Sequence, residues 1–549
     1  MSKVGQIERK TQNRLVKLLQ EKLGYNYLGN WEKQYNSNLV ETEYLAFQAS
    51  NGVSEDLAKK SFRELEKIAS NGAVKLYQSN RDFYEKLRYG VKIAPELGEQ
   101  NATVWPIDWK NIEKNRFSFA QEVIVEGALG NKRPDIVVYI NGIAISVIEL
   151  KRSTVSIEEG ILQHLDNQHE DFIESFFSTV QMLIAGNDTQ GVKYGTIGTE
   201  RNGYYYWNEE DAQYGNKLDR GIKNLLSKER LIKIIYSFIA FSNGTKLICR
   251  SNQFHGVNEL LVSAKKDESG IIWHTQGSGK SMTMVWGARA IREEINNARV
   301  LVITDRDQLD EQIEGIFNGV KEPIVRTKSG SDLFTKLADA SIPVLCSLIQ
   351  KFRGTNDDEE VDEADVEVFV EDLKKAVRTN AKPTGKFFVF IDEAHRTQSG
   401  SLHKYLKELL PDAIFIGFTG TPIFKNEKTL SRKIFGKIIH AYKYDEAVRD
   451  EVVHDIAYEA RDVDKVVSDQ TKIDSYFEAK TKNLNDIAKT DLKKKWASKQ
   501  EVDSAKSRLG IIADDINLDM LTKPRLMTDR GNALLIASSI YEACIYSNF

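Results

Sequence analysis

Cysteine is scarce: Cys249, Cys346 and Cys544 are the whole complement of a 549-residue chain. They lie far apart with no metal-ligand spacing, which excludes a disulfide framework and suits a reducing compartment. No apolar run reaches the roughly 18 residues of a membrane-crossing helix. The N-terminal MSKVGQIERKTQ lacks the apolar centre of a secretory signal, so a soluble, cytoplasmic protein is expected. An excess of one charge is missing too. With 76 Lys and Arg against 80 Asp and Glu, the net charge is −4, so nucleic-acid contacts must use local basic patches. Lys493-Lys494-Lys495 is such a run, although a solvated helix face is its ordinary reading. Repeats and low-complexity stretches are also absent.

What is there alternates in character along the chain. Residues 7–24, 54–69 and 79–88 carry helical spacing, the first ending in a Gly stop. A β-rich stretch follows: FSFAQEVIVEG, PDIVVYI and AISVIELKR. FSNGTKLICRSNQFHG reads as a passage between domains. From 271 to about 450 short apolar strands (IIWHT, VLVITD, PVLCSLI, FFVFID, IFIGFTGT) alternate with helical patterns, which predicts a parallel sheet covered on both faces. Residues 354–380 hold an acidic run expected to be an exposed insertion or helix face. After 450 the chain is polar and helical until a predicted strand, NALLIAS, at 532–538. One strand and one helix are too little for a further α/β domain, so the sequence is expected to be a fragment.

Two motifs carry nucleotide chemistry. IIWHTQGSGKS at 271–281 is a strand entering a Gly-rich turn, Gly277-Ser278-Gly279-Lys280-Ser281. Such a turn points backbone N–H groups at phosphate oxygens, and the following helix adds its positive end. Lys280 is suited to the β/γ-phosphates and Ser281 to Mg²⁺. The strict pattern wants Gly where this chain has His274. Downstream, VFIDEAH at 389–395 ends a second apolar strand, where Asp392 is suited to hold Mg²⁺ and Glu393 to orient the attacking water. Together they predict ATP binding and hydrolysis.

A second chemistry sits in RPDIVVYINGIAISVIELKR. Asn141-Gly142 between two β-rich runs is a strong hairpin signal. A strict two-residue turn pairs Asp135 with Ile148; a three-residue bulged turn pairs it with Glu149 and puts both carboxylates on one face. Glu149 and Lys151 share a face through the period of two. Two carboxylates and an ammonium at one edge suit Mg²⁺-assisted phosphodiester hydrolysis, with Asp135 and Glu149 as ligands and Lys151 beside the nucleophile. D-x(n)-E-x-K alone is weak in a chain that is 28% charged. A surface hairpin with a Glu–Lys pair is the bland reading. Glu149 beside an otherwise apolar run is an expensive location for an idle charge.

The ordered set resembles the motor/restriction subunit of type I restriction-modification enzymes. KRPDIVVYINGIAISVIELKRS is similar to that family's PD-(D/E)xK nuclease core. Gln253 stands where the adenine-recognising Gln of superfamily 2 motors is found. WHTQGSGKS, VLVITDRDQLDEQI, CSLIQKF, DEAHRTQSG and GFTGTPI match successive motor motifs. The resemblance implies an α/β fold: a PD-(D/E)xK endonuclease domain with linker at 1–245, a first RecA-like motor domain at 246–455, and the start of a second motor lobe at 456–549. It implies ATP-driven translocation of double-stranded DNA coupled to Mg²⁺-dependent cleavage, in a complex with methyltransferase and specificity subunits. Thr419 and Thr421 would relay the hydrolysis state to DNA, with His395 as a coupling residue. The family's Q-x-x-x-Y element is half present, since Gln163 fits but Asn167 replaces the Tyr. Glu8 on the first helix is a further candidate acidic group, against an ordinary solvated position; Gln253 competes with a plain helix-capping amide. Two other readings remain. One is a stand-alone repair helicase-nuclease acting on DNA ends; in the other, residues 1–245 are a docking or DNA-clamping module with structural charges.

Overall fold

A computed structural model describes residues 3–33, 36–94, 101–209, 215–304, 324–348, 383–392, 400–421, 435–461, 506–523 and 533–547, with isolated positions at 315–319, 371 and 475–489. Glu393, His395, the acidic run up to residue 370, the DRDQLD segment after Thr304 and Lys493-Lys494-Lys495 lie outside the described residues. Met1–His454 form one compact unit and Asp455–Phe549 another.

The first unit holds two seven-stranded sheets. One takes β1 (Asn26–Asn30), β4 (Phe117–Gln121), β5 (Ile136–Ile140), β6 (Ile143–Leu150), β7 (Met182–Asn187), β8 (Gly191–Gly195) and β9 (Tyr205–Tyr206), in that spatial order. The short β2 (Val91–Ile93) and β3 (Ala102–Val104) pair separately. Among the described residues seven helices cover this sheet: α1 (Lys3–Lys17), α2 (Glu41–Ser50), α3 (Glu55–Ala69), α4 (Leu76–Tyr89), α5 (Glu158–Asn167), α6 (Lys217–Leu226) and α7 (Lys228–Ser237), of which α1, α3 and α4 stand where the sequence spacing placed helices. Ile136, Val138 and Ile140 enter one apolar core with α6 and α7 residues such as Leu218, Ile222 and Leu231. Val137, Tyr139, Ala144 and Val147 enter another with Ile161 of α5.

Because β5 and β6 are buried on both faces, apolar alternation cannot select their register; turn chemistry must. Asn141 (φ 51°) and Gly142 (φ 77°) both take left-handed backbone, the requirement of a two-residue I′ turn. A Cβ at Gly142 would lie 2.4 Å from the Val40 carbonyl oxygen, so the site demands glycine twice over. Beyond the turn the register shifts: Tyr139 faces Ala144, but Val138 faces Ser146 and Ile136 faces Ile148. Ile145 is the extra residue of a β-bulge. The outcome combines the two sequence alternatives: a two-residue turn, with a bulge inside the strand that brings Asp135 opposite Glu149.

A hairpin of β10 (Ile239–Ser242) and β11 (Thr245–Ile248) leads through α8 (Ser251–Lys265) into the second sheet. Its strands are β12 (Gly270–His274), β13 (Ala298–Thr304), β14 (Ile324–Arg326), β15 (Val344–Leu348), β16 (Lys386–Ile391), β17 (Ile414–Thr419) and β18 (Lys437–Tyr442). All pair in parallel, in the order β14-β15-β13-β16-β17-β12-β18. Alternate residues feed opposite cores, Ile272 and Phe390 one, Ile271 and Ile391 the other, as continuous apolar strands require. The helix α9 (Lys280–Glu294) follows β12 directly.

In the second unit, Arg461 ties the helix Lys506–Thr522 through Asp515 (2.6 Å) and Asp519 (2.9 Å). The strand predicted at 532–538 is not formed: residues 533–537 have no regular structure, and Leu534 and Ile536 are exposed. A strand needs a neighbour to take its N–H and C=O groups, and none is present in this unit among the described residues. No helix of the described residues is long and apolar enough to cross a membrane.

Candidate nucleotide and nuclease sites

The turn after β12 is shaped by two left-handed glycines, Gly277 (φ 81°) and Gly279 (φ 83°), and α9 begins at Lys280. Its carbonyls are held from one side by the start of α8. Arg250 Nη1 donates to Gly277 O (2.8 Å), Asn252 Nδ2 to Ser278 O (3.3 Å) and Gln253 Nε2 to Gly279 O (2.9 Å). A trans peptide points its N–H opposite to its C=O. The Gly279 and Lys280 N–H groups therefore face the other way, at the positive end of α9, where an anion is favoured. Arg250 is itself stacked on Tyr205 (4.4 Å) and donates to its hydroxyl (3.0 Å). Sequence reasoning missed Arg250 and Asn252; their only signal was adjacency to Gln253. Both ends of the Gln253 amide are used within the chain, its Oε1 accepting from the Arg250 N–H at 2.7 Å. The capping alternative is thus realised and extended to the phosphate-binding turn.

Strand order brings the remaining nucleotide motifs to this edge. β17 lies between β12 and β16, so Thr419 at its end is flanked by the Lys280 turn and by Asp392. Asp392 is buried, its N–H bonded to Ile303 O at 3.0 Å. Thr419 Oγ1 donates to Thr421 O (3.5 Å), and a Cβ on Gly420 would lie 2.7 Å from Lys280 Nζ. Ser281 is half-buried on the first turn of α9. His274, the departure from the strict pattern, is buried with Nε2 2.9 Å from His440 Nδ1.

Burial lowers the pKa of His274 well below the usual imidazole value, and brings His440 and the buried His164 of α5 to about 4. All three are neutral in the folded chain at pH 7. The unfolded chain, with imidazoles near 6.5, binds more protons between about 4 and 6.5, so stability falls as pH drops through that window. The urea midpoint should be lower at pH 5 than at pH 7.5. An unchanged pH dependence after replacing both His164 and His440 by Asn would sink this assignment.

The other site lies on the β5–β6 hairpin. Glu149 is fully buried, while Asp135 and Lys151 are half-buried at its solvent side. Asp135 Oδ2 accepts from the Leu150 N–H (2.7 Å), which fixes one carboxylate against the strand of the other. Lys151 Nζ donates to Gln163 Oε1 (2.5 Å), and Asn167 Nδ2 to Glu149 Oε1 at 3.4 Å. Gln163 and Asn167, one turn apart on α5, thus face the same cluster. Gly160 allows α5 this close: a Cβ there would sit 3.1 Å from the Ala185 Cβ. From α1 it is Gln12 that arrives, donating to Glu122 Oε1 (2.9 Å) and Asp135 O (3.1 Å). Glu8 is on α1, but its side chain lies outside the described residues. Gln12 and Glu122 were missed in the sequence, where neither has a recognisable pattern.

Burial, then the neighbouring Asp135, hold the Glu149 carboxyl well above the usual range, with Lys151 opposing. Glu149 Oε2 has no hydrogen-bond partner. A buried acceptor of this kind beside a second carboxylate fits a hard dication, which takes oxygen ligands. Among the described residues no three His, Cys, Asp or Glu side chains converge.

Comparison with known proteins gives two family matches. The family described as type I restriction enzyme R protein N terminus matches residues 5–202, and SWI2/SNF2 ATPase matches residues 252–490. A putative type I restriction enzyme MjaIXP endonuclease subunit of Methanocaldococcus jannaschii is 28% identical, over 94% of this chain and 52% of its own. The type I restriction enzyme HindI endonuclease subunit of Haemophilus influenzae is 30% identical, over 69% of this chain and 38% of its own. The SsaAORF53P endonuclease subunit of Staphylococcus saprophyticus is 27% identical, over 63% and 36%. The chain spans about half the length of the first relative and just over a third of the others.

Proposed function

Because this chain belongs to the family of type I restriction enzyme R proteins, with that family's N-terminal domain followed by a SWI2/SNF2-type ATPase domain, we propose that it couples ATP-driven translocation on double-stranded DNA to Mg²⁺-dependent endonucleolytic cleavage. It does so in the cytoplasm, within a complex with methyltransferase and specificity subunits that defends against unmodified foreign DNA. The reading is carried by one observation: a single compact unit holds both a phosphate-binding turn with its amides facing outward and a hairpin whose bulge aligns Asp135 with Glu149.

In this scheme the backbone N–H groups at Gly279 and Lys280 cradle the triphosphate, with Gly277 and Ser278 shaping the turn. Lys280 neutralises charge growing on the β/γ-oxygens. Ser281 and Asp392 hold the nucleotide's Mg²⁺, Glu393 orients the attacking water, and Thr419, Thr421 and His395 pass the hydrolysis state on. Gln253 keeps the turn in shape and lies where the adenine would be recognised. At the hairpin Asp135 and Glu149 hold a second Mg²⁺, which when bound supplies hydroxide near neutral pH and charge stabilisation at phosphorus. Lys151, oriented by Gln163, sits beside the nucleophile.

The test is ATP hydrolysis and cutting of closed circular DNA, measured together with the full-length protein assembled with its methyltransferase and specificity partners. Cutting is expected only with ATP and Mg²⁺, and not with a non-hydrolysable analogue. Degradation of linear DNA from its ends by the protein without partners would overturn this reading in favour of a repair nuclease.

A further inference from the structure

Among the described residues the Asp135–Glu149 cluster has too few carboxylates to enclose a dication, and Glu149 Oε2 has no hydrogen-bond partner. Asn167 is 1% exposed, at the end of α5. Its Nδ2 donates to Glu149 Oε1 at 3.4 Å, so its orientation is set by the carboxylate. Its other atom, Oδ1, has no hydrogen-bond partner, and neither has Glu149 Oε2. Two buried oxygens without a hydrogen-bond partner thus belong to side chains that touch each other. Leaving a buried acceptor unmade costs about 1–3 kcal/mol, so an orphaned oxygen on each of two touching side chains calls for an electropositive partner.

We propose that Asn167 Oδ1 is a ligand of the dication held by Asp135 and Glu149, a neutral oxygen completing a two-carboxylate set. This rests on the reading of the hairpin as a metal-dependent nuclease site and names a ligand which that reading does not contain. An amide carbonyl is a proper donor for Mg²⁺ or Mn²⁺. The same side chain fixes Glu149 through its NH₂ and offers its oxygen past it, a division of labour only a carboxamide performs at that position. Lys151 meanwhile is occupied by Gln163, one turn earlier on α5. The helix therefore addresses the ammonium with one amide and the metal with the other.

The experiment uses the full chain without nucleotide, so that the phosphate-dependent Mg²⁺ site contributes little. Free Mn²⁺ is followed by electron paramagnetic resonance for wild type, Asn167→Ala and Glu149→Ala. A Cd²⁺ titration of Asn167→Cys, followed in the ultraviolet, asks whether position 167 touches the ion, since a soft thiolate ligand gives a charge-transfer band. Expected are about tenfold weaker Mn²⁺ binding by Asn167→Ala and a Cd²⁺ band in Asn167→Cys. That band should be absent from wild type and lost when Glu149→Ala is added. Absence of the band overturns the proposal, including the case in which Asn167→Ala weakens Mn²⁺, because Asn167 then only positions Glu149. Should Glu149→Ala bind Mn²⁺ like wild type, it is the metal-site reading itself that fails. Thermal unfolding without metal confirms that each variant is folded, and Asn167→Ser, which keeps an oxygen, serves if Ala is not.

Discussion

Lys151→Ala is expected to reduce DNA cleavage by a factor on the order of 10²–10³ while leaving DNA-stimulated ATP hydrolysis at the wild-type rate. The ammonium opposes the raised pKa of Glu149, and it donates to Gln163 Oε1 at 2.5 Å. Without it, charge developing at the scissile phosphate loses a fixed partner. The Gly-rich turn lies on a separate sheet with two apolar cores of that sheet's own strands, so ATP turnover is expected not to change. Lys151→Met, which keeps most of the stem, should behave the same way and separates charge from packing. The measurement is a single preparation assayed for both activities. A variant that cuts like wild type would make residues 1–245 a docking domain on an otherwise sound motor.

Lys280→Ala should have the opposite profile at the motor and the same one at the DNA. ATP hydrolysis is expected to fall by a factor on the order of 10²–10³, because in the proposed scheme the amine at the start of α9 is the charge that meets the β/γ-phosphates. Cleavage is expected to fall with it, since in the proposed scheme cutting depends on translocation. Mn²⁺ binding at the hairpin should not move, as Lys280 and Glu149 lie on different sheets. Side by side, the two variants separate an engine from a cutter. Retention of ATP hydrolysis within about twofold by Lys280→Ala would mean that the triphosphate binds elsewhere, whatever the turn looks like.

Much of the nucleotide site was legible in the chain because its elements are local. A short apolar strand, two glycines that accept positive φ and a helix start all lie between Ile271 and Lys280. Asn141-Gly142 was legible for the same reason. What could not be read was the register beyond that turn. The extra residue, Ile145, is one β-branched residue among several and carries no mark of the bulge. The predicted strand at 532–538 failed from the opposite cause: local propensity was present but no neighbouring strand was available to satisfy its backbone.

By itself the sequence determined the α/β class, five of the seven strands of the parallel sheet, the Gly-rich turn and the candidate residues Asp135, Glu149 and Lys151. Each depends on φ preference, apolar period or charge within about ten residues of chain. Only the tertiary structure decided that β17 lies between β12 and β16, that Arg250, Asn252 and Gln253 hold the turn's carbonyls, and that Gln163 and Asn167 face the two ends of the nuclease cluster. These are contacts between segments far apart in sequence. Closing such loops costs chain entropy that no local motif records, and burial on two faces of a sheet decides which closure is kept.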